Sequence, residues 1–385
     1  MNRQLLLRRT AIASAATSAG LATVSAAGSL GAATYFARKV LTPDPRRPDD
    51  TQIWAVDHDT VMVAATPDSV LPGRYGLWLD GGQGHARVGD IVDSDGQRVR
   101  RRLLGVDRGR LTVGFARWNQ YYYGADPATA LGLATQDVRF ASDVGQLPAW
   151  RVDAGAGRRW AVLVHGRGAR REECLRALPV LHQLGVTSLV PSYRNDIGAP
   201  ASPDGRYSLG LSEWRDLEAA MRYAVEQGAD ELILFGWSMG GAIVLQTLDR
   251  SWLAEAVTAV VLDAPVVDWG DVLRYHGALN HIPPPIATLT SSLLGRRWSR
   301  RLVGVHEPID VASTNWDDRA EELRHPVLLI HSEDDEFVPS GPSARLAAKR
   351  PDLVRWEPWR LARHTKEWNV DSDRWERVVR TFLAG

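Results

Sequence analysis

Residues 234–244 read Leu-Phe-Gly-Trp-Ser-Met-Gly-Gly-Ala-Ile-Val, and the way this run folds decides the architecture of the chain. The apolar residues up to Phe235 form a strand-like segment, while Ala242 to Gln246 favours a helix. Between them Ser238 stands among Gly236, Gly240 and Gly241. Glycine accepts backbone angles and close approaches that other residues refuse, so the stretch reads as a strand turning abruptly into a helix, with one hydroxyl exposed at the bend. The competing reading is a serine that caps a helix beside glycines needed only for close packing.

Outward from this turn, strand and helix patterns alternate. Trp160 to Val164, Val186 to Val190, Glu231 to Phe235, Ala259 to Leu262 and Val327 to Ile330 read as strands; Glu172 to Leu184, Leu211 to Glu226, the residues after Met239 and Asp373 to Leu383 read as helices. Such alternation implies an α/β fold, a mainly parallel, doubly wound sheet covered on both faces. It occupies residues 151–385. An insertion at about 264–325, with Pro283-Pro-Pro285 and arginines 296, 297, 300 and 301, reads as a helical cap over the sheet edge. Residues 51–150 differ: short apolar runs broken by Gly, Pro and Asp predict a small β-rich accessory domain. The proline-rich residues 41–50 read as a linker.

The N-terminus is different again. Arg3, Arg8 and Arg9 precede an uncharged, weakly hydrophobic stretch from Ala11 to Phe36, followed by Arg38 and Lys39. As a helix it would span roughly 39 Å, against about 30 Å for a hydrocarbon core. Residues 1–40 therefore read as a membrane-retained signal anchor, as an export signal cleaved near Val24-Ser-Ala-Ala27, or as a soluble Ala-rich helix. The Arg8-Arg9 pair resembles a twin-arginine signal. The first two readings place the remainder of the chain outside the cytoplasm. With 46 basic and 46 acidic residues the chain carries no net field that would favour nucleic acid. Its single cysteine, Cys174, excludes an internal disulfide.

A serine hydroxyl is a poor nucleophile until a base takes its proton, and the base needs a partner to hold its tautomer. His364, in Leu361-Ala-Arg-His-Thr365, and Asp335, in the polar turn after the strand Val327–Ile330, are the candidates, in the order Ser, Asp, His. With Gly236-Trp-Ser-Met-Gly-Gly241, His165-Gly-Arg-Gly168 and Asp335 to Pro339, they make residues 159–385 resemble an α/β-hydrolase, similar in style to the dienelactone-hydrolase-like and prolyl-oligopeptidase-like serine hydrolases. The resemblance implies Ser238 as nucleophile, His364 as base and Asp335 as acid, with the backbone N–H groups of Met239 and Arg167 forming an oxyanion hole. Asp334, next in sequence, and Asp263, at a strand end where some relatives carry an acid, compete with Asp335. The implied activity is ester hydrolysis through an acyl-enzyme. The alternatives are a prolyl-oligopeptidase-like peptidase acting on short peptides and a catalytically idle, membrane-tethered binding module.

Other motifs carry less. Gly166 and Gly168 begin a G-x-G-x-x-G pattern, but its third position is Arg171 and no acidic strand end follows in register, so no dinucleotide cofactor is expected. Arg167, Arg170 and Arg171 suit either an anionic substrate or a solvated face balanced by Glu172 and Glu173. His165 and His331 fit a role in orienting backbone. His276, His281 and His306 lack metal-ligand spacing, and no metal is expected. Trp118 and Tyr121-Tyr-Tyr123 read as core or as a substrate entrance. Arg194 and Asp196, beyond the strand ending at Val190, either hold a loop or touch substrate.

Overall fold

The computed structural model describes residues 28–43, 47–155 and 157–385. The turn at Ser238 lies at the end of a central strand of an eight-stranded sheet. Six antiparallel strands come first: β1 (Thr51–Val56), β2 (Thr60–Ala64), β3 (Tyr75–Leu79), β4 (Gly84–Ser94), β5 (Arg98–Arg108) and β6 (Gly114–Asn119). They close into a barrel in the order β1-β2-β5-β4-β3-β6. The sheet follows, from β7 (Thr135–Ser142), β8 (Gly145–Val152), β9 (Arg159–Val164), β10 (Thr187–Pro191), β11 (Glu231–Trp237), β12 (Val257–Asp263), β13 (Val327–Ser332) and β14 (Val354–Trp359). Its order is β14-β13-β12-β11-β9-β10-β8-β7. β9 to β14 run parallel, and β8 is antiparallel to both β7 and β10.

The central strands are buried on both faces. Ala161, Leu163, Ile233, Phe235, Ala259 and Val261 join one apolar cluster with Leu175, Val180, Val379 and Leu383. The alternate residues Val162, Val164, Leu232, Leu234 and Val260 are equally buried and point the other way. A parallel strand must be apolar throughout to be covered in this manner, which is why these runs lack a polar alternation.

Two expectations need correction. The β-rich region does not extend to residue 150: the barrel closes at Asn119, and β7 and β8 form a hairpin that joins the sheet through β8 and β10. Period-two alternation marks a strand but not its partner. The helix expected over 172–184 is a 3₁₀ segment, Arg171–Ala177, followed by a short α-helix, Leu178–Gln183. Pro179 has no N–H to continue an α-helical ladder from the preceding turn. The segment Ala11–Phe36, expected to cross or pass through a membrane, lies outside the described residues up to residue 27. Residues 28–41 are helical and bury Ala33, Phe36, Ala37 and Leu41. Among the described residues no helix is long and apolar enough to cross a membrane.

That helix belongs to a compact unit with residues 273–311. Thr290 Oγ1 donates to the Ala33 carbonyl at 3.4 Å, and Arg38 Nε donates to the Leu302 carbonyl at 3.0 Å. The insertion expected at 264–325 is helical at Trp269–Leu279, Pro284–Gly295 and Arg300–Val303.

Within the larger unit, barrel and sheet are tied together at Asn369. Its carbonyl accepts from Arg74 N–H at 2.9 Å, and its Nδ2 donates to the carbonyls of Arg74 (2.6 Å) and Gln120 (2.9 Å). Inside the barrel, fully buried Arg101 donates to the carbonyls of Gly89, Ser69, Leu71 and Gly73. Burial pulls its guanidinium down to about 10.

Candidate active site

Ser238 adopts φ 53° and ψ −119°, a conformation that side chains other than glycine rarely take. Hydrogen bonds hold it there: its N–H donates to the Asp263 carbonyl at 3.1 Å, and its carbonyl accepts from Gly241 N–H and Val266 N–H, both at 3.0 Å. The flanking glycines are sterically required. A Cβ on Gly240 would lie 2.1 Å from the Val164 carbonyl oxygen, and one on Gly236 would lie 2.6 Å from that of Gly240. The strand therefore reaches the helix Met239–Arg250 in a single step, and Met239 becomes its first residue.

The structure brings the three expected side chains together. Ser238 Oγ is 2.9 Å from His364 Nε2, and His364 Nδ1 is 2.7 Å from Asp335 Oδ2. Asp335 Oδ1 accepts from the N–H groups of Phe337 and Val338, each at 2.8 Å. His331 Nε2 stands 3.2 Å from Asp335 Oδ2, while its Nδ1 lies 2.8 Å from Ser343 Oγ. His331 thus orients a carboxylate rather than backbone alone. Burial opposes ionisation of Asp335, but the neighbouring His364 and the hydrogen bonds from His331 and His364 outweigh it and hold the carboxyl far below its ordinary range.

The competing acids are placed otherwise. Asp334 is exposed and its Oδ2 accepts from Leu361 N–H at 2.8 Å. Asp263 is buried and its Oδ2 accepts from the indole N–H groups of Trp237 (3.0 Å) and Trp375 (2.9 Å). Beside it, the fully buried Glu367 accepts from Ser332 N–H at 2.9 Å. Burial, the charge of Asp263 and a hydrogen bond with Asp263 raise the Glu367 carboxyl well above its ordinary value.

Ser238 and His364 line a cavity of about 280 Å³ whose walls include Trp118, Asn119 and Gln120 from the barrel, together with Gly166, Arg167 and Phe337. The loop after β9 approaches Ser238 closely: a Cβ on Gly166 would come within 3.1 Å of the serine Cβ. His165 lies below, its Nε2 2.8 Å from Asp196 Oδ2 and its ring stacked on Tyr193. Tyr193 O–H donates to the Gly166 carbonyl at 2.9 Å. Asp196 therefore holds the loop through His165. Arg194 is also structural, buried against Asp216 at 2.7 Å and reaching Asp143. Tyr122 and Tyr123 pack on Trp368, whereas Trp118 faces the cavity.

Glu173 departs from expectation. Rather than forming a solvated face, it is buried beside the serine, with Oε2 accepting from Gly166 N–H at 2.7 Å and Oε1 3.4 Å from Arg176. The charged run 170–173 carries no periodic signal that would separate this glutamate from Glu172. Gln120 and Lys366, also in the cavity wall, carry no sequence signal that separates them from other polar residues.

The sequence profile of the alpha/beta hydrolase family matches residues 161–381. A second profile, that of a domain of unknown function, matches residues 52–119, nearly the whole barrel. No curated protein sequence matches the chain. Among solved structures, the Pyrococcus furiosus esterase Pf2001 superposes with a TM-score of 0.52 at 17% identity, covering 68% of this chain and 96% of that one. A second crystal form of it gives 0.52 at 18% identity over 68% and 94%. The esterase RhEst1 from Rhodococcus sp. ECU1013 reaches 0.45 at 20% identity over 65% and 98%. At such identities the likeness to Pf2001 speaks for the fold alone.

Proposed function

The chain belongs to the α/β-hydrolase family, and from that premise we propose that it is a serine esterase cleaving a small carboxylic ester through an acyl-enzyme. The observation that carries this reading is the unbroken relay from Ser238 Oγ through His364 to Asp335, at 2.9 and 2.7 Å. With Nδ1–H donated to Asp335, His364 Nε2 bears the lone pair that takes the serine proton. Ser238 Oγ then bonds to the ester carbonyl carbon, and the carbonyl electron pair moves onto oxygen. The N–H groups of Met239 and Arg167 hold that oxyanion, aided by the N-terminus of the helix Met239–Arg250. As the tetrahedral species collapses, the C–O bond to the alcohol breaks and His364 returns its proton to the leaving oxygen. Water, deprotonated by His364, repeats the sequence to release the acid and restore the serine.

The barrel wall and the modest volume of the cavity favour small substrates. A serine-directed fluorophosphonate should label the full chain and fail to label Ser238→Ala. Purified Ser238→Ala should lose up to ~10⁶ in kcat on a short-chain aryl ester. Unlabelled wild-type protein with no ester turnover would instead favour an idle fold serving as a binding module.

For location, the burial of Ala33 and Phe36 favours export with cleavage over a retained anchor, since the uncharged residues left, Ala11 to Ala27, would span only about 25 Å as a helix. Cleavage after Ala27 would leave the mature chain starting at the helix 28–41. Sequencing the N-terminus of protein recovered from fractionated cells tests this, and a full-length cytosolic product would refute it.

A further inference from the structure

Next to the cavity of Ser238 lies a recess of about 130 Å³, lined by Arg47, Arg117, Arg170, Trp78, Asn119 and Tyr121 among others. Arg47, Arg117, Asn119 and Ala169 line both spaces, so the recess adjoins the cavity that holds the serine. Two of the arginines are braced by backbone. Arg117 Nη1 donates to the Arg47 carbonyl at 2.7 Å, and Arg47 Nη2 donates to the Gly168 carbonyl at 3.0 Å. Among the described residues Arg117 Nε is buried without a hydrogen-bond partner.

Most of the surrounding acids are engaged, although Asp196 itself lines the recess and Asp49 Oδ1 is buried with no hydrogen-bond partner among the described residues. Asp68 pairs with Arg363 (3.2 Å) and Lys366 (3.3 Å), Glu336 pairs with Arg363 (2.8 Å), and Glu173 takes Gly166 N–H and Arg176. Asp196 Oδ2 accepts from Tyr193 N–H at 2.8 Å and meets His165. Asp49 acts on Arg117 through space, but its Oδ2 accepts from Gly81 N–H at 2.8 Å. Among the described residues no carboxylate forms an ion pair with Arg47, Arg117 or Arg170. Burial first lowers the proton affinity of Arg117; the charge of Asp49 raises it, and those of Arg47 and Arg170 lower it again, so both cations repel Arg117. An anion placed among them relieves that repulsion, and guanidinium forks match the paired oxygens of carboxylate or phosphate.

Resting on the esterase reading, we infer that this recess is a subsite for an anionic oxygen group, carboxylate or phosphate, borne by the substrate, and that the preferred ester is therefore charged. Equilibrium binding to full-length Ser238→Ala protein, by calorimetry in about 50 mM salt, tests it with three probes: monomethyl glutarate, monoacetyl glycerol 3-phosphate and neutral dimethyl glutarate. At least one anion should bind tenfold or more tightly than the neutral diester, and the one that does identifies the group. The preference should shrink as salt rises. Adding Arg117→Gln should abolish it, Arg117→Lys should retain part of it, and the exposed Arg170→Gln should weaken it. Equal binding of all three probes, no saturable binding of either anion, or a preference that survives Arg117→Gln in folded protein would overturn the inference. The esterase reading fails separately: an arginine-dependent anion preference in a chain that hydrolyses no ester leaves the subsite standing, and turnover of neutral esters without anion preference leaves only the esterase.

Discussion

At Ser238 the backbone sits at φ 53° because the bend leaves no other path between β11 and its helix, and the neighbouring glycines absorb the crowding. Gly240→Ala should therefore lower stability by about 3 kcal/mol or more, seen as a fall in the denaturation midpoint, since the new methyl meets main chain rather than a movable side chain. The acid is tested by charge removal at constant shape. Asp335→Asn should cost up to ~10⁴ in kcat because the amide cannot hold His364 in the required tautomer. Asp334→Asn, at an exposed loop position, should change kcat little. Asp263→Asn should act on stability through the two indole N–H groups, with a far smaller effect on kcat. Steady-state kinetics of the three purified variants separates these outcomes, and a larger kcat loss in either of the last two would reassign the acid.

At the scale of elements, the barrel is more than an appendage because β6 and the residues after it wall the cavity. Its seat depends on Asn369, whose amide nitrogen bridges the Arg74 and Gln120 carbonyls. Each such bond contributes about 1 kcal/mol net. Asn369→Ala should thus lower stability by about 2 kcal/mol and raise KM more than it lowers kcat, because the wall moves while the Ser238–His364 relay stays in place. Thermal melts with paired kinetics measure both; an unchanged KM would show that the barrel keeps its position without this residue.

Across the whole molecule, the buried pair Asp263 and Glu367 links β11, β12, β13 and the C-terminal helix Ser372–Ala384 through Trp237, Ser332 and Trp375. The folded state keeps a proton on Glu367 that the unfolded chain releases above the ordinary glutamate value of 4.5. Folded protein then binds more protons than unfolded, so this contribution is fully present below that value and is lost as pH rises toward the raised folded pKa. Glu367→Gln, whose amide N–H replaces the carboxyl O–H as donor but does not titrate, should flatten the decline of Tm with pH above about 4.5. A slope identical to that of the wild type would show that Glu367 is not the group responsible.

The sequence by itself determined the strand-turn-helix around Ser238, the parallel α/β alternation and the candidates His364 and Asp335. These rest on short-range chemistry: glycines where no Cβ fits, unbroken apolar runs where both faces are covered, and a polar turn at a strand's end. Only the tertiary structure decided that β7 and β8 leave the barrel for the sheet, because a half-buried strand does not specify its hydrogen-bond partner. It also decided that residues 28–41 pack with 273–311, since an Ala-rich stretch satisfies a protein groove as readily as a weak export signal. Among Asp334, Asp335 and Asp263, chain order left the choice open; the side-chain directions set by each turn put only Asp335 against His364. The same holds for the charged residues. Glu173, Arg47 and Arg117 are ordinary polar letters in the chain, and they acquire meaning only when a barrel and a sheet, distant in sequence, close around one cavity and leave some charges paired and others facing a common space.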